Sequence, residues 1–188
     1  MKCSVFIATS ADGYIATPQG DVDWLMEAAA SEEPVAMGLS MEDYMQSVDC
    51  MVMGRKCMEK VASFNLTPEQ WPYGHTRIIV LSKSLTQLPA GLPDTVELYS
   101  GDIPALMAQL DEEGYQHAYV DGGSVITSFL NLKLINEMVI TQAPLILGDG
   151  LRLFGKINHP IRLREVTAEA FANGFSQSRF TLQYDSWR

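Results

Sequence analysis

Three short stretches hold glycine, hydroxyl and basic residues directly after apolar runs: VMGRK (52–56), VLSKS (80–84) and VDGGSVI (120–126). The chemistry they share is anion binding. A helix N-terminus presents unpaired N–H groups and partial positive charge, which suits phosphate. Glycine lets the backbone approach closely because no Cβ intervenes. Arg and Lys bring charge, and Ser brings a hydroxyl donor. Gly54 sits at a turn, with Arg55 and Lys56 in the first helical turn that follows. Cations there oppose the helix dipole at about 0.3–1 kcal/mol each, a cost that a bound anion offsets. Ser82, Lys83 and Ser84 lie just past a strand, while Gly122, Gly123 and Ser124 open a helix. Taken singly, each stretch also reads as something plainer: solvated cations, a polar loop, a strand-to-helix turn. Asp121 stands beside the glycine pair, where an acid repels phosphate unless its side chain points away or caps the following helix.

The charge of the whole chain sharpens the point. It has 188 residues and a net charge of −10, which excludes a nucleic-acid binder with its basic face. Yet four of the thirteen Lys and Arg residues, Arg55, Lys56, Lys60 and Lys83, fall in GRKCMEK and LSKS. An acidic protein that binds an anion must gather its cations in this way. Cys3, Cys50 and Cys57 are odd in number and form no CxxC pair, so a reduced compartment is expected. His75, His117 and His159 show no ligand spacing, and no metal site is expected. No apolar run reaches the roughly 20 residues that cross a bilayer. The opening MKCSVFIATSADGYIA is interrupted early by Asp12 and Gly13 and reads as a first strand, not a signal peptide. A cytoplasmic protein of one domain over 1–188 is the expectation.

The elements that must position these loops follow from periodicity. KCSVFIAT (2–9), DCMVMG (49–54), TRIIVLS (76–82), TVELYS (95–100) and QHAYVDG (116–122) read as strands. RKCMEKVASF (55–64) and GSVITSFLN (123–131) read as helices, and Ser40 and Asp102 as N-caps of two more. Residues 10–25 are rich in turn formers, and 26–37 start helically but meet Pro34, which predicts a broken segment. LINEMVITQAP (134–144) predicts a long strand. IRLREVTAEAF and FSQSRFTLQYDS, joined by ANG, predict a terminal hairpin with a tight Asn-Gly turn. Strands alternating with helices imply a largely parallel sheet with helices on both faces, ending in antiparallel edge strands. The fold class is therefore α/β.

In order and spacing, SVFIATSADGYIA, DVDWL, VMGRKCMEKV, IIVLSKS, VDGGSVITSFL and ITQAPLILGDGLRLF resemble the dihydrofolate reductase-like superfamily. Within it they most resemble the branch that includes the reductase domain of riboflavin biosynthesis proteins, the RibD C-terminal domain. The resemblance implies a three-layer sandwich, an NADPH-dependent reductase and a homodimer. It implies that Ala8 and Ile15 flank the nicotinamide, and that Gly54, Arg55, Lys56 and Cys57 meet the cofactor's phosphates. Ser82 and Lys83 would lie near the adenosine 2′-phosphate, and Gly122, Gly123, Ser124, Val125 and Ile126 around the pyrophosphate. Cys57 departs from the family, where threonine is common; a thiol is a weaker donor than a hydroxyl.

On the substrate side, Asp23 and Trp24 are implied pocket residues, with Asp23 as proton donor or substrate anchor. The turn LILGDGL (145–151) is placed where it could close over the substrate. The carboxylate that folate reductases carry before the second strand falls near Gly38, so Glu27, Glu42 and Asp43 do not align with it. The implied reaction is hydride transfer to a small heterocyclic or ribosylamino substrate, as in 5-amino-6-(5-phosphoribosylamino)uracil reduction. The alternatives are a pterin reductase with its acid displaced to Glu42 or Asp43, and an NADPH-binding protein without catalysis.

Overall fold

A computed structural model describes residues 1–30 and 38–184. The expectation for the segment up to residue 37 therefore lies partly outside the described residues, from 31 onward. The elements run β1 (Lys2–Thr9), β2 (Tyr14–Ala16), α1 (Asp23–Ala29), α2 (Met41–Gln46), β3 (Cys50–Gly54), α3 (Arg55–Ser63), β4 (Arg77–Leu81) and β5 (Val96–Tyr99). Then come α4 (Ile103–Glu112), β6 (His117–Asp121), α5 (Gly123–Asn131), β7 (Glu137–Gln142), β8 (Leu151–Arg152), β9 (Arg162–Ala170) and β10 (Ser176–Gln183).

Eight strands form one sheet in the order β5-β4-β3-β6-β1-β7-β10-β9. From β5 to β7 all pairs are parallel, while β10 runs antiparallel to both β7 and β9. The central strands are apolar without a break because both faces are covered, as parallel sheets require. Their period of two divides them between two cores. Cys50, Val52, Ile79, Ala118 and Val120 face one, with α4 and α5. Met51, Met53, Ile78, Val80 and Tyr119 face the other, with Tyr44 of α2 and Met58 of α3. The result is a three-layer α/β sandwich with an antiparallel C-terminal hairpin.

Two helix starts follow the sequence closely. Asp43 N–H donates to Ser40 Oγ at 3.0 Å, and Ala105 N–H donates to Asp102 Oδ1 at 3.0 Å. Three expectations need correction. Helix α1 takes in residues 23–29, so the helical start lies before residue 26. Strand β7 spans only Glu137–Gln142, although Asn136 and Ala143 at its ends still donate their N–H groups to Cys3 O and Thr9 O of β1, both at 2.8 Å. The ANG connection is a three-residue loop: Gly174 N–H donates to Phe171 O (2.9 Å) and Phe171 N–H to Phe175 O (2.8 Å). Gly174, at φ 85°, takes the left-handed position that closes such loops, in place of a two-residue Asn-Gly turn.

One pair of strands had no forecast. Strands β2 and β8 form a separate antiparallel ribbon, with Tyr14 opposite Arg152. Asp12 ties the surrounding loops together. Its carboxylate accepts from Ser10 Oγ (2.6 Å) and from the N–H groups of Leu147 (3.0 Å) and Gly148 (2.8 Å). These hydrogen bonds, chiefly the one from Ser10, hold its carboxyl down at about 2.

Candidate functional site

Strands β4, β3 and β6 are neighbours and end at the same level. Gly54 pairs with Leu81, and Met53 pairs with Asp121. The three basic or glycine-rich loops therefore lie side by side beyond the carboxyl ends of the strands, where open α/β sheets bind ligands. They line a cavity of about 700 Å³ that includes Gly54, Arg55, Lys56, Ser82, Lys83 and Ser124.

Two helices open onto this cavity, α3 and α5. Each begins after a glycine, Gly54 or Gly122, and neither has a side-chain cap. Helices α2 and α4 are capped by Ser40 and Asp102. The first N–H groups of α3 and α5 are thus left for another acceptor. The lining holds four cations, Arg55, Lys56, Lys83 and Arg152, and no carboxylate. In a chain of net charge −10 that is a strong local reversal of sign.

The glycine pair has reasons within the protein itself. A Cβ at Gly122, whose φ is 94°, would meet Cys57 Sγ at 2.6 Å. A Cβ at Gly123 would meet the Arg152 carbonyl oxygen at 2.5 Å. Close packing of three chain segments, as much as any ligand, dictates both residues.

Asp121 does not face the cation-lined cavity. It lines a second cavity of about 680 Å³, on the β1 side of β6, together with Ile7, Ala8, Val22, Leu25 and Phe64. Burial pushes its carboxyl up to about 6, against the lowering effect of the Gly122 N–H; the Tyr119 hydroxyl donates to Phe6 O at 3.0 Å. Asp121 and Tyr119 are two apart on one strand and so share a face. The acid beside the glycines thus points away from the phosphate-type site, one of the two orientations that let it stand there. The two cavities meet at Ile15, Lys56, Cys57, Gly122 and Leu151, which line both. Burial also pushes the Cys57 thiol up to about 12, so it is a neutral packing group at neutral pH.

The roof of the second cavity is the segment from Ala16 to Leu25. A turn at its tip is closed by Thr17 N–H to Asp21 O and Gly20 N–H to Thr17 O, both 2.9 Å. Lys60 Nζ, on α3, donates to Asp21 Oδ1 at 2.7 Å and fastens this turn to the opposite wall.

Of the residues singled out in the sequence, Gly54, Arg55, Lys56, Cys57, Ser82, Lys83, Gly122, Gly123, Ser124 and Val125 all line the first cavity, with Ile15. Ala8 lines the second. Ile126 lines neither: it is fully buried in the core, its N–H held by Gly122 O at 2.8 Å. Asp23 and Trp24 open α1 but do not line the second cavity; their neighbours Val22 and Leu25 do, and Asp23 is exposed. Glu27, Glu42 and Asp43 are exposed and line neither cavity. Asp43 serves its own helix start, accepting from Ser40 Oγ at 2.7 Å.

Arg152 was not foreseen. Its guanidinium lies 4.8 Å over the Tyr14 ring and donates to Tyr14 Oη at 3.1 Å. Only the pairing of β2 with β8 brings it to the first cavity, and no local pattern in the sequence announces that pairing. Among the described residues there is no cluster of three or more His, Cys, Asp or Glu that could hold a metal, and no helix long and apolar enough to cross a membrane.

The comparisons with known proteins agree with this architecture. The family model described as the RibD C-terminal domain matches residues 2–176. The uncharacterized protein YwjB of Bacillus subtilis (strain 168) is 30% identical over 165 residues, which cover 87% of this chain and 88% of YwjB. A Shewanella sp. PV-4 crystal structure, provisionally described as a riboflavin biosynthesis protein, superposes with a TM-score of 0.87 at 37% identity, covering 98% of this chain and 100% of that one. A Thermotoga maritima diaminohydroxyphosphoribosylaminopyrimidine deaminase/5-amino-6-(5-phosphoribosylamino)uracil reductase shares the fold, with a TM-score of 0.62 at 16% identity. The match spans 96% of this chain and 56% of that one.

Proposed function

The chain belongs to the RibD C-terminal domain family, and on that premise we propose that it is an NADPH-dependent reductase with a divided site. The first cavity takes the cofactor, and the second takes the hydride acceptor. The observation that carries this reading is the first cavity's lining: four cations, no carboxylate and two uncapped helix N-termini. That donor set fits the pyrophosphate and the 2′-phosphate of NADPH. Lys83, at the end of β4, stands farthest toward the β5 edge and is assigned to the 2′-phosphate.

When bound, NADPH supplies hydride to the acceptor's C=N or C=O carbon and leaves as NADP⁺. Everything else is the work of the chain. Ile7, Ala8, Val22, Leu25 and Phe64 give the second cavity apolar walls that exclude water around the acceptor. Asp121 anchors the acceptor's polar edge and delivers the proton that the reduced nitrogen or oxygen requires. A carboxyl near 6 is well matched to proton transfer at neutral pH. This role replaces the one the sequence suggested for Asp23. The position of Glu42 and Asp43 outside both cavities leaves the displaced-acid pterin reductase without support.

The test is a fluorescence titration with NADPH, followed by NADPH oxidation against a panel of pterins, pyrimidine ribosylamines and quinones. Micromolar NADPH binding with turnover of at least one acceptor is expected. A protein that does not bind NADPH overturns the reading.

A further inference from the structure

The two cavities are built with opposite charge logic. In the first, Arg55, Lys56, Lys83 and Arg152 face no carboxylate among the lining residues. The second is nearly as large, at about 680 Å³, but its charged lining is Lys56, Lys60, Glu59 and Asp121. Lys60 is already neutralised by Asp21 at 2.7 Å. Lys56 is shared with the cofactor cavity, so a phosphate there competes for it. Glu59 is likewise paired with Arg55, at 3.4 Å, so neither ion pair adds net charge to this cavity. Residues 31–37, SEEPVAM, contain no Lys, Arg or His that could supply a missing cation.

A phosphate dianion in the second cavity would therefore meet one shared lysine, the Asp121 carboxyl and the field of a chain at −10. Burying a charge without a partner is costly. The first cavity shows how this protein equips a phosphate site, and the second is not equipped that way. Its walls are apolar, and its one inward-directed acid suits a ring edge carrying N–H groups.

We propose that the hydride acceptor is a flat heterocycle bearing no phosphate group, held at its N–H edge by Asp121. This rests on the reading that NADPH fills the first cavity. It separates the chain from relatives named for a phosphoribosylamino substrate, and the Lys60–Asp21 ion pair is the feature that enforces the difference. In the reaction, hydride adds to the ring or imine atom, a proton from Asp121 completes the reduction and is replaced from solvent, and NADPH is oxidised to NADP⁺.

The experiment uses matched acceptors that differ only in the phosphate: riboflavin against FMN, and 5-amino-6-ribosylaminouracil against its 5′-phosphate. Anaerobic NADPH oxidation is followed with each, in the wild-type chain and in Asp21→Asn. The wild type is expected to favour the unphosphorylated member at least tenfold in kcat/KM in one pair or both. Asp21→Asn releases Lys60, and the preference should shrink at least threefold at low salt. Equal or better use of the phosphorylated members overturns the proposal. So does turnover of neither pair by a protein that binds NADPH, or a preference unchanged by Asp21→Asn. Failure to bind NADPH at all counts instead against the two-cavity reading.

Discussion

A Cβ placed on Gly123 would lie 2.5 Å from the carbonyl oxygen of Arg152. The start of α5 and strand β8 touch through backbone, with no side chain between them. Gly123→Ala must push β8 away, and β8 carries one of the four cations of the first cavity. Overpacking of this kind costs about 1–3 kcal/mol, or roughly 2–12 °C in Tm for a chain of this size. The expected result is that loss of stability together with at least a tenfold loss of NADPH affinity, read by thermal melting and by titration. An alanine variant with unchanged affinity would separate β8 from the cofactor site.

Lys83 makes the sharpest claim about cofactor choice. A charge-assisted hydrogen bond contributes about 1.5–3 kcal/mol, which is roughly 10- to 150-fold in affinity. NADPH should bind at least about tenfold tighter than NADH. Lys83→Ala should weaken NADPH to near the NADH value while leaving NADH almost unchanged. Arg152→Met, on the other wall, should weaken both nucleotides in parallel. Paired titrations with the two nucleotides check each outcome.

Much of this site was legible in the sequence, and the boundary is physical. Strands β3, β4 and β6 announce themselves because both faces are buried, so their apolar runs are unbroken. Once they are parallel neighbours, GRK, LSKS and DGGS must share one edge. The orientation of Asp121 was also available, since strand alternation puts it on the Tyr119 side. What local pattern cannot carry is the ribbon of β2 and β8, three and two residues long. It exists only because chain segments more than a hundred residues apart meet, and with it comes Arg152. The roof illustrates a finer limit. In a helix each residue turns by about 100°, so placing Asp23 and Trp24 in the cavity missed Val22 and Leu25 by one position.

Asp121→Asn should divide activity from stability. Removing a positioned proton donor costs roughly 10²- to 10⁴-fold in turnover, while NADPH affinity should hold, because the residue lines the other cavity. The stability effect has the opposite sign. Burial raises the folded carboxyl to about 6, above its unfolded value of 3.8. Between those values the folded state holds a proton that the unfolded state has lost. Wild-type stability therefore falls as pH rises through that window, and the deficit is complete above it. Asparagine carries no such penalty, so the Tm of the variant relative to wild type should climb from pH 4 to pH 7. A relative Tm that is flat or falling over that range would contradict the raised carboxyl.

A fourth prediction concerns a buried chain of hydrogen bonds far from both cavities. His117 Nδ1 lies 2.6 Å from the Ser47 carbonyl oxygen, which only accepts, so Nδ1 carries the proton. Nε2 then accepts from Ser4 Oγ at 2.7 Å, and Ser4 in turn accepts from Tyr44 Oη at 2.6 Å. Ser4 and Tyr44 are buried at 0% and 2% exposure. Protonating Nε2 turns it into a donor to Ser4 Oγ, so Ser4 can no longer donate to the ring, and one hydroxyl proton of the Ser4–Tyr44 pair is left in the apolar core without an acceptor. That cost accords with the ring's pKa, which burial holds below its usual value despite the Ser47 carbonyl. The folded state thus binds fewer protons than the unfolded state below about pH 6.5, and stability falls as pH drops through that point toward the depressed value. Urea unfolding at pH 7.5 and 5.5 should show wild type losing more stability than His117→Gln, whose neutral amide can donate to Ser47 but cannot titrate. The same comparison in the Asp121→Asn background removes the opposing contribution of that carboxyl. A wild-type loss no larger than the variant's would mean that the Tyr44–Ser4–His117 chain does not depend on a neutral imidazole.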